Sequence, residues 1–142
     1  MRKILVLMSY FTLILVAVTM VIFFRWTVKT YEPIVFENIP FPISSQEVKQ
    51  GEYLDYQIKY CKKMEEVPVI TKTFVDSIVY SIPQEPQPFL KMGCQTENIK
   101  IYIPKALPEG EYVIKSTYAV KVNPIRTVNV YTETQPFTVI SK

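Results

Sequence analysis

The sequence predicts a mainly β chain, a two-sheet antiparallel sandwich preceded by one N-terminal transmembrane helix. Three observations carry that expectation. Residues 4–24 run 21 positions without a charge. Beyond them, β-branched and aromatic residues alternate with polar ones, and no segment after residue 30 keeps apolar residues at helical spacing over ten positions. The composition agrees: 49% hydrophobic with 20% charged residues excludes disorder, and 11 Pro with 13% aromatic residues argues against a helix bundle. At 142 residues, the length left after the helix suits one domain.

Residues 4–24 reach roughly 30 Å as a helix at about 1.5 Å per residue, the hydrocarbon thickness of a bilayer. Arg2 and Lys3 flank one end and Arg25, Trp26 and Lys29 the other, residue types that anchor a helix at the membrane interface. The competing reading is a cleaved signal peptide, whose apolar core is shorter, about 7–15 residues, and ends in small residues. Here the far end is Val18 to Phe24, and Ala17 has Leu15 two places before it. A retained helix is therefore expected, with the lipid bilayer as its partner. Residues 10–18, YFTLILVAV, are similar to the FTLIEL start of type IV pilins. Tyr10 and Leu15, however, stand where that family has Gly and Glu, which argues against pilin-like packing.

Charge divides unevenly. Four basic residues and no acid lie in the first 30 positions, and the remaining 12 basic and 13 acidic residues intermingle. No basic face for nucleic acid results, since Glu65 and Glu66 follow Lys59, Lys62 and Lys63 at once. Two cations on each flank of the helix leave its orientation open by charge alone. The cysteines break the tie. Cys61 and Cys94 are the only two, and a pair in an exported domain is most simply a disulfide, here closing a loop of about 34 residues and contributing roughly 3–4 kcal/mol. The expectation is a cytoplasmic tail at 1–3, a helix at 4–24, and an extracytoplasmic remainder in a cell membrane. Two buried free thiols are the alternative.

Residues 25–46 hold Pro33, Pro40 and Pro42 without periodicity, which suits an extended connector lifting the domain off the lipid, with one short edge strand at 34–36. VKQGEY at 48–53 reads as a turn into a strand in which Leu54, Tyr56, Ile58 and Tyr60 share one face. Further strands are expected at 69–75, 78–82, 99–103, 112–122, 125–132 and 137–140. Six to eight strands in the span 47–142 match the arithmetic of a sandwich, with a small closed barrel as the alternative.

LPEGEY at 107–112 places Leu107, Pro108 and Gly110 at a chain reversal and Tyr112 at the start of the next strand. It resembles the tyrosine corner of immunoglobulin-like domains, which implies an immunoglobulin-like fold and a structural role for Leu107, Gly110 and Tyr112. The usual bridge between central strands is not matched, because Cys94 precedes the corner; a bridge is thus expected to pin a loop or edge near Cys61. VNPIRTVNVYTETQPFTV at 122–139 resembles the closing hairpin of small membrane-anchored immunoglobulin-like proteins of tailed phages and bacteria. That resemblance implies an attachment or interaction module.

The residues offer little for catalysis. With zero His there is no Ser/His/Asp relay and no His-ligated zinc, and Asp55 and Asp76 are the only aspartates to draw a calcium ion. No catalytic residue, metal or small-molecule cofactor is expected, nor any nucleic-acid partner. Tyr56, Tyr60 and Tyr112 share the spacing of apolar neighbours and belong inside. Tyr53, Tyr102 and Tyr131 belong outside and, with Phe89 and Leu90 after the run PQEPQP at 83–88, form the candidate surface for a protein partner. The expected function is non-catalytic binding or attachment. The alternative is a structural subunit of an envelope, filament or virion assembly whose apolar helix packs on other helices.

Overall fold

A computed structural model of the protein describes residues 2–76, 78–82 and 90–141. Helix α1 spans Arg2–Val28, one turn beyond the uncharged segment. Its three threonines turn their hydroxyls back onto the helix: Thr12 donates to the Ser9 carbonyl at 2.9 Å, Thr19 to that of Leu15, and Thr27 to that of Phe24 at 3.0 Å. This hides polar hydrogens that an apolar surrounding would leave unpaired. One helix in the described residues is long and apolar enough to cross a membrane, and none of its apolar stretch is buried against the rest of the protein.

The strands follow in two sheets. β1 (Ile34–Phe36), β3 (Tyr53–Lys62) and β6 (Gly93–Tyr102) form a small antiparallel sheet in the order β1-β3-β6. The larger sheet takes β2 (Glu47–Lys49), β9 (Phe137–Ile140), β7 (Gly110–Asn123), β4 (Val69–Val75) and β5 (Val79–Ser81) in that order, with β8 (Arg126–Glu133) also pairing β7. One pairing departs from the expected all-antiparallel arrangement. β2 runs parallel to β9, with Val48 opposite Val139. These two strands come from opposite ends of the β unit, so no hairpin dictates their relative direction. Gly51, at φ +85°, makes the tight turn from β2 into β3, a conformation that a side chain disfavours.

Strand alternation sends one face of each sheet into a shared core. Leu54, Tyr56, Ile58 and Tyr60 enter from β3, and Tyr112, Ile114, Tyr118 and Val120 from β7. Each such side chain, fully buried, contributes about 1.5–3 kcal/mol. Aromatic rings tie the layers together. Phe36 of the small sheet meets Tyr118 of the large one at 4.8 Å between centroids and Phe41 at 5.4 Å, while Phe74, Tyr80, Tyr112 and Phe137 form a second cluster with centroids 6.2–6.4 Å apart.

Residues 33–43 do not act as the expected spacer. Ile34 and Phe41 are 3% and 1% exposed, and Phe41 exchanges backbone hydrogen bonds with Glu133 and Gln135 at 2.8 and 2.9 Å. Between prolines that cannot donate, Phe41 gains more by filling the core than by extending the chain. Five residues, 29–33, separate the helix from β1, and the end of the β7–β8 hairpin closes that gap. Asn123 Nδ2 donates to the Trp26 carbonyl at 3.2 Å, and Arg126 Nη1 donates to those of Thr27 and Lys29 at 3.1 and 2.9 Å. These bonds satisfy carbonyls that a helix end leaves without partners.

Candidate binding surface

The inward tyrosines are structural. Tyr60 donates its hydroxyl to Glu97 Oε1 at 2.8 Å and accepts the Lys91 N–H at 2.9 Å. Burial, reinforced by the bond to Glu97, pushes its pKa up to about 12. Burial likewise pushes Tyr56 and Tyr118 far upward, and raises Tyr112. At the corner, the Tyr112 hydroxyl donates to the Pro108 carbonyl at 3.1 Å, Leu107 is buried, and its carbonyl accepts from Gln50 Nε2 at 2.6 Å.

Cys61 and Cys94 stand directly opposite each other on β3 and β6, their sulfurs at the 2.04 Å of a disulfide. The bridge therefore joins the middle strand of the small sheet to its neighbour β6, a position that residue spacing alone does not reveal. It closes a ladder of paired side chains along the outer face of the small sheet. Tyr53 and Tyr102 pack rings at 5.4 Å, Lys100 Nζ lies 3.9 Å from Asp55 Oδ1, and Gln57 Nε2 donates to Asn98 Oδ1 at 3.3 Å. Opposed pairs of this kind stabilise a sheet by a few tenths of a kcal/mol to about 1 kcal/mol each. The rings and the amides are thus engaged with one another, while Asp55 Oδ1 is buried and meets Lys100 only through the long ion pair.

The expected surface residues do not converge on one patch. Leu90 is a correction: it is 4% exposed, packed in the core beneath the start of β6. Its carbonyl accepts from Lys62 Nζ at 3.1 Å, so a buried cation fixes the chain there while the leucyl side chain fills apolar space. Phe89 and the run at 83–88 lie outside the described residues. Tyr53 and Tyr102 belong to the small sheet, whereas Tyr131 lies on the outer face of the large one. The side chain of Arg2 is also outside the description; Lys3, Arg25, Trp26 and Lys29 are all exposed around the two ends of α1.

Around Tyr131 the structure assembles neighbours that the sequence keeps far apart. An open depression of about 640 Å³ on the large sheet is lined by Ile39, Thr73, Val79, Lys115, Tyr131 and Glu133 among others. Tyr131 is 69% and Val79 61% exposed. Lys115 and Glu133 are register partners across β7 and β8, offering one cation and one anion beside the ring. Apolar groups with a few polar ones suit a side chain of another protein. Ile39, Val79 and Lys115 carried no signal in the sequence, because only strand order brings them to Tyr131. Among the described residues, no three His, Cys, Asp or Glu side chains converge to hold a metal ion.

No protein-family model matches the chain, and no characterised protein matches it in sequence. Among solved structures it is similar to a Niemann-Pick type C2 protein from the Japanese carpenter ant, at 10% identity and a TM-score of 0.44, over 75% of this chain and 99% of that one.

Proposed function

We propose that the protein is a single-pass membrane protein that holds a disulfide-bonded, immunoglobulin-like β sandwich outside the cytoplasm and acts by binding another protein, without catalysis. The observation that carries this reading is α1: its apolar stretch is wholly exposed, and its threonine hydroxyls are turned back onto its own carbonyls. A surface of that kind is stable in lipid and costly in water. The Tyr112 to Pro108 bond supports the immunoglobulin-like assignment, and the Cys61–Cys94 pair supports an oxidising compartment, hence a cytoplasmic N-terminus. The binding surface of this reading is the depression beside Tyr131.

Sidedness tests it. Protease added outside sealed spheroplasts should digest the β unit and leave the helix protected, and Cys61 and Cys94 should resist alkylation until reduced. Full protection of the β unit, or two thiols that alkylate without reductant, would defeat the proposal. A detergent-extracted monomer fits a solitary anchor; a stable high-order oligomer would transfer the helix to the alternative role in an assembly.

A further inference from the structure

We infer that the end of the β7–β8 hairpin is a second membrane contact, one that lays Ile125 and a ring of cations against anionic lipid headgroups of the leaflet that α1 leaves. The inference rests on the anchoring proposed above. Depth is the first argument. Asn123 donates to the Trp26 carbonyl, so the hairpin end lies at the level of the residue that marks the headgroup layer. Arg126 holds it there by donating to the Thr27 and Lys29 carbonyls, and its guanidinium lies 5.8 Å from the centre of the Tyr31 ring, against which Lys29 Nζ also rests at 5.5 Å.

Shape is the second argument. Ile125 sits at the very tip, 52% exposed, and its N–H is occupied by Asn123 Oδ1 at 3.1 Å. An aliphatic side chain is thus presented at a turn position whose own N–H is already bonded locally, which lowers the cost of bringing it into an apolar boundary. Charge is the third. Residues 25–29 and 121–127 bring Arg25, Lys29, Lys121 and Arg126 to this junction, and neither segment contains an acid. Glu32, the nearest acid along the connector, is engaged by Lys63 at 3.0 Å. A cationic ring around an apolar tip complements a phosphate-bearing surface. Such a contact would hold the sandwich in one orientation relative to the bilayer, in place of swinging on a tether.

The test uses the full chain in vesicles with bromine-labelled acyl chains, prepared from phosphatidylcholine with or without phosphatidylglycerol. Trp26, the only tryptophan, reports the anchor in the wild type. A Trp26→Phe, Ile125→Trp double variant reports the hairpin tip. The expected result is a blue-shifted emission from the probe at position 125 that bromine quenches, more strongly with phosphatidylglycerol, and that Lys121→Glu weakens without disturbing the bonds to the helix end. If Trp26 is quenched while position 125 stays red-shifted and unquenched in both lipids, the anchor stands and this inference is overturned. Equal quenching with and without phosphatidylglycerol overturns the assignment to anionic headgroups. If neither position is quenched, the anchoring itself fails and the inference with it.

Discussion

Tyrosine hydroxyls set the chemistry of the core at the scale of single residues. Tyr60 and Tyr112 each combine a buried ring with a hydrogen bond donated at the rim, to Glu97 and to the Pro108 carbonyl. Tyr112→Phe removes one bond and little else, so denaturant unfolding should show a loss of about 1 kcal/mol with an unchanged slope. The raised pKa values fix the sign of an alkaline effect. The fold favours the protonated phenol, so its contribution is complete below the unfolded value near 10 and is lost as pH rises towards about 12, where Tyr60 titrates. Stability should fall over that window, with part of the tyrosinate absorbance appearing only as the β circular dichroism disappears. Full ionisation of every tyrosine in a chain that stays folded would contradict this. The inward positions of Tyr56, Tyr60 and Tyr112 were legible because each shares the two-residue spacing of apolar neighbours, Leu54 and Ile58 for the first two and Ile114 for the third. Leu90 was misread because it follows a proline-rich run with no rhythm, and its burial depends on Lys62 and Tyr60, residues close only in space.

Among the elements, some were legible to the residue: 69–75 coincides with β4, 34–36 with β1 and 137–140 with β9, all short runs rich in β-branched or aromatic residues. The first half of β6 was not, since Gly93 to Asn98 is polar and largely exposed on both faces, and its pairing with β3 supplies the order that its composition does not. The disulfide acts on that half. Replacing Cys61 and Cys94 together by Ser should cost about 3–4 kcal/mol in global stability and accelerate amide exchange first around Cys94 to Thr96. The connector was misjudged for a related reason: Phe41 is a single aromatic among prolines, and no local pattern reveals that it docks on Glu133 and Gln135. A soluble fragment 31–142 should unfold cooperatively. A fragment 47–142, lacking Ile34, Phe36 and Phe41, should lose at least the 3–5 kcal/mol typical of one deleted core aromatic and show a broadened transition. Equal stability of the two would mean that residues 33–43 are an appendage.

In the whole molecule, an apolar rod and a two-layer β unit meet through a few hydrogen bonds and one short stretch of chain. Mainly β character could be read from alternation and the N-terminal helix from its unbroken uncharged run, because each signal extends over many residues. The grouping of Tyr131 with Ile39, Val79 and Lys115 could not, since a face assignment within a strand does not say which strands adjoin. The closeness of the hairpin to the helix end was equally hidden, as Asn123 and Trp26 lie 97 residues apart. Every functional proposal depends on the helix remaining attached and in lipid. The most direct measurement is the intact mass of the protein recovered from washed membranes of cells expressing the full sequence. The expected result is a membrane-bound chain that retains residues 2–28. A soluble chain lacking that segment would contradict it.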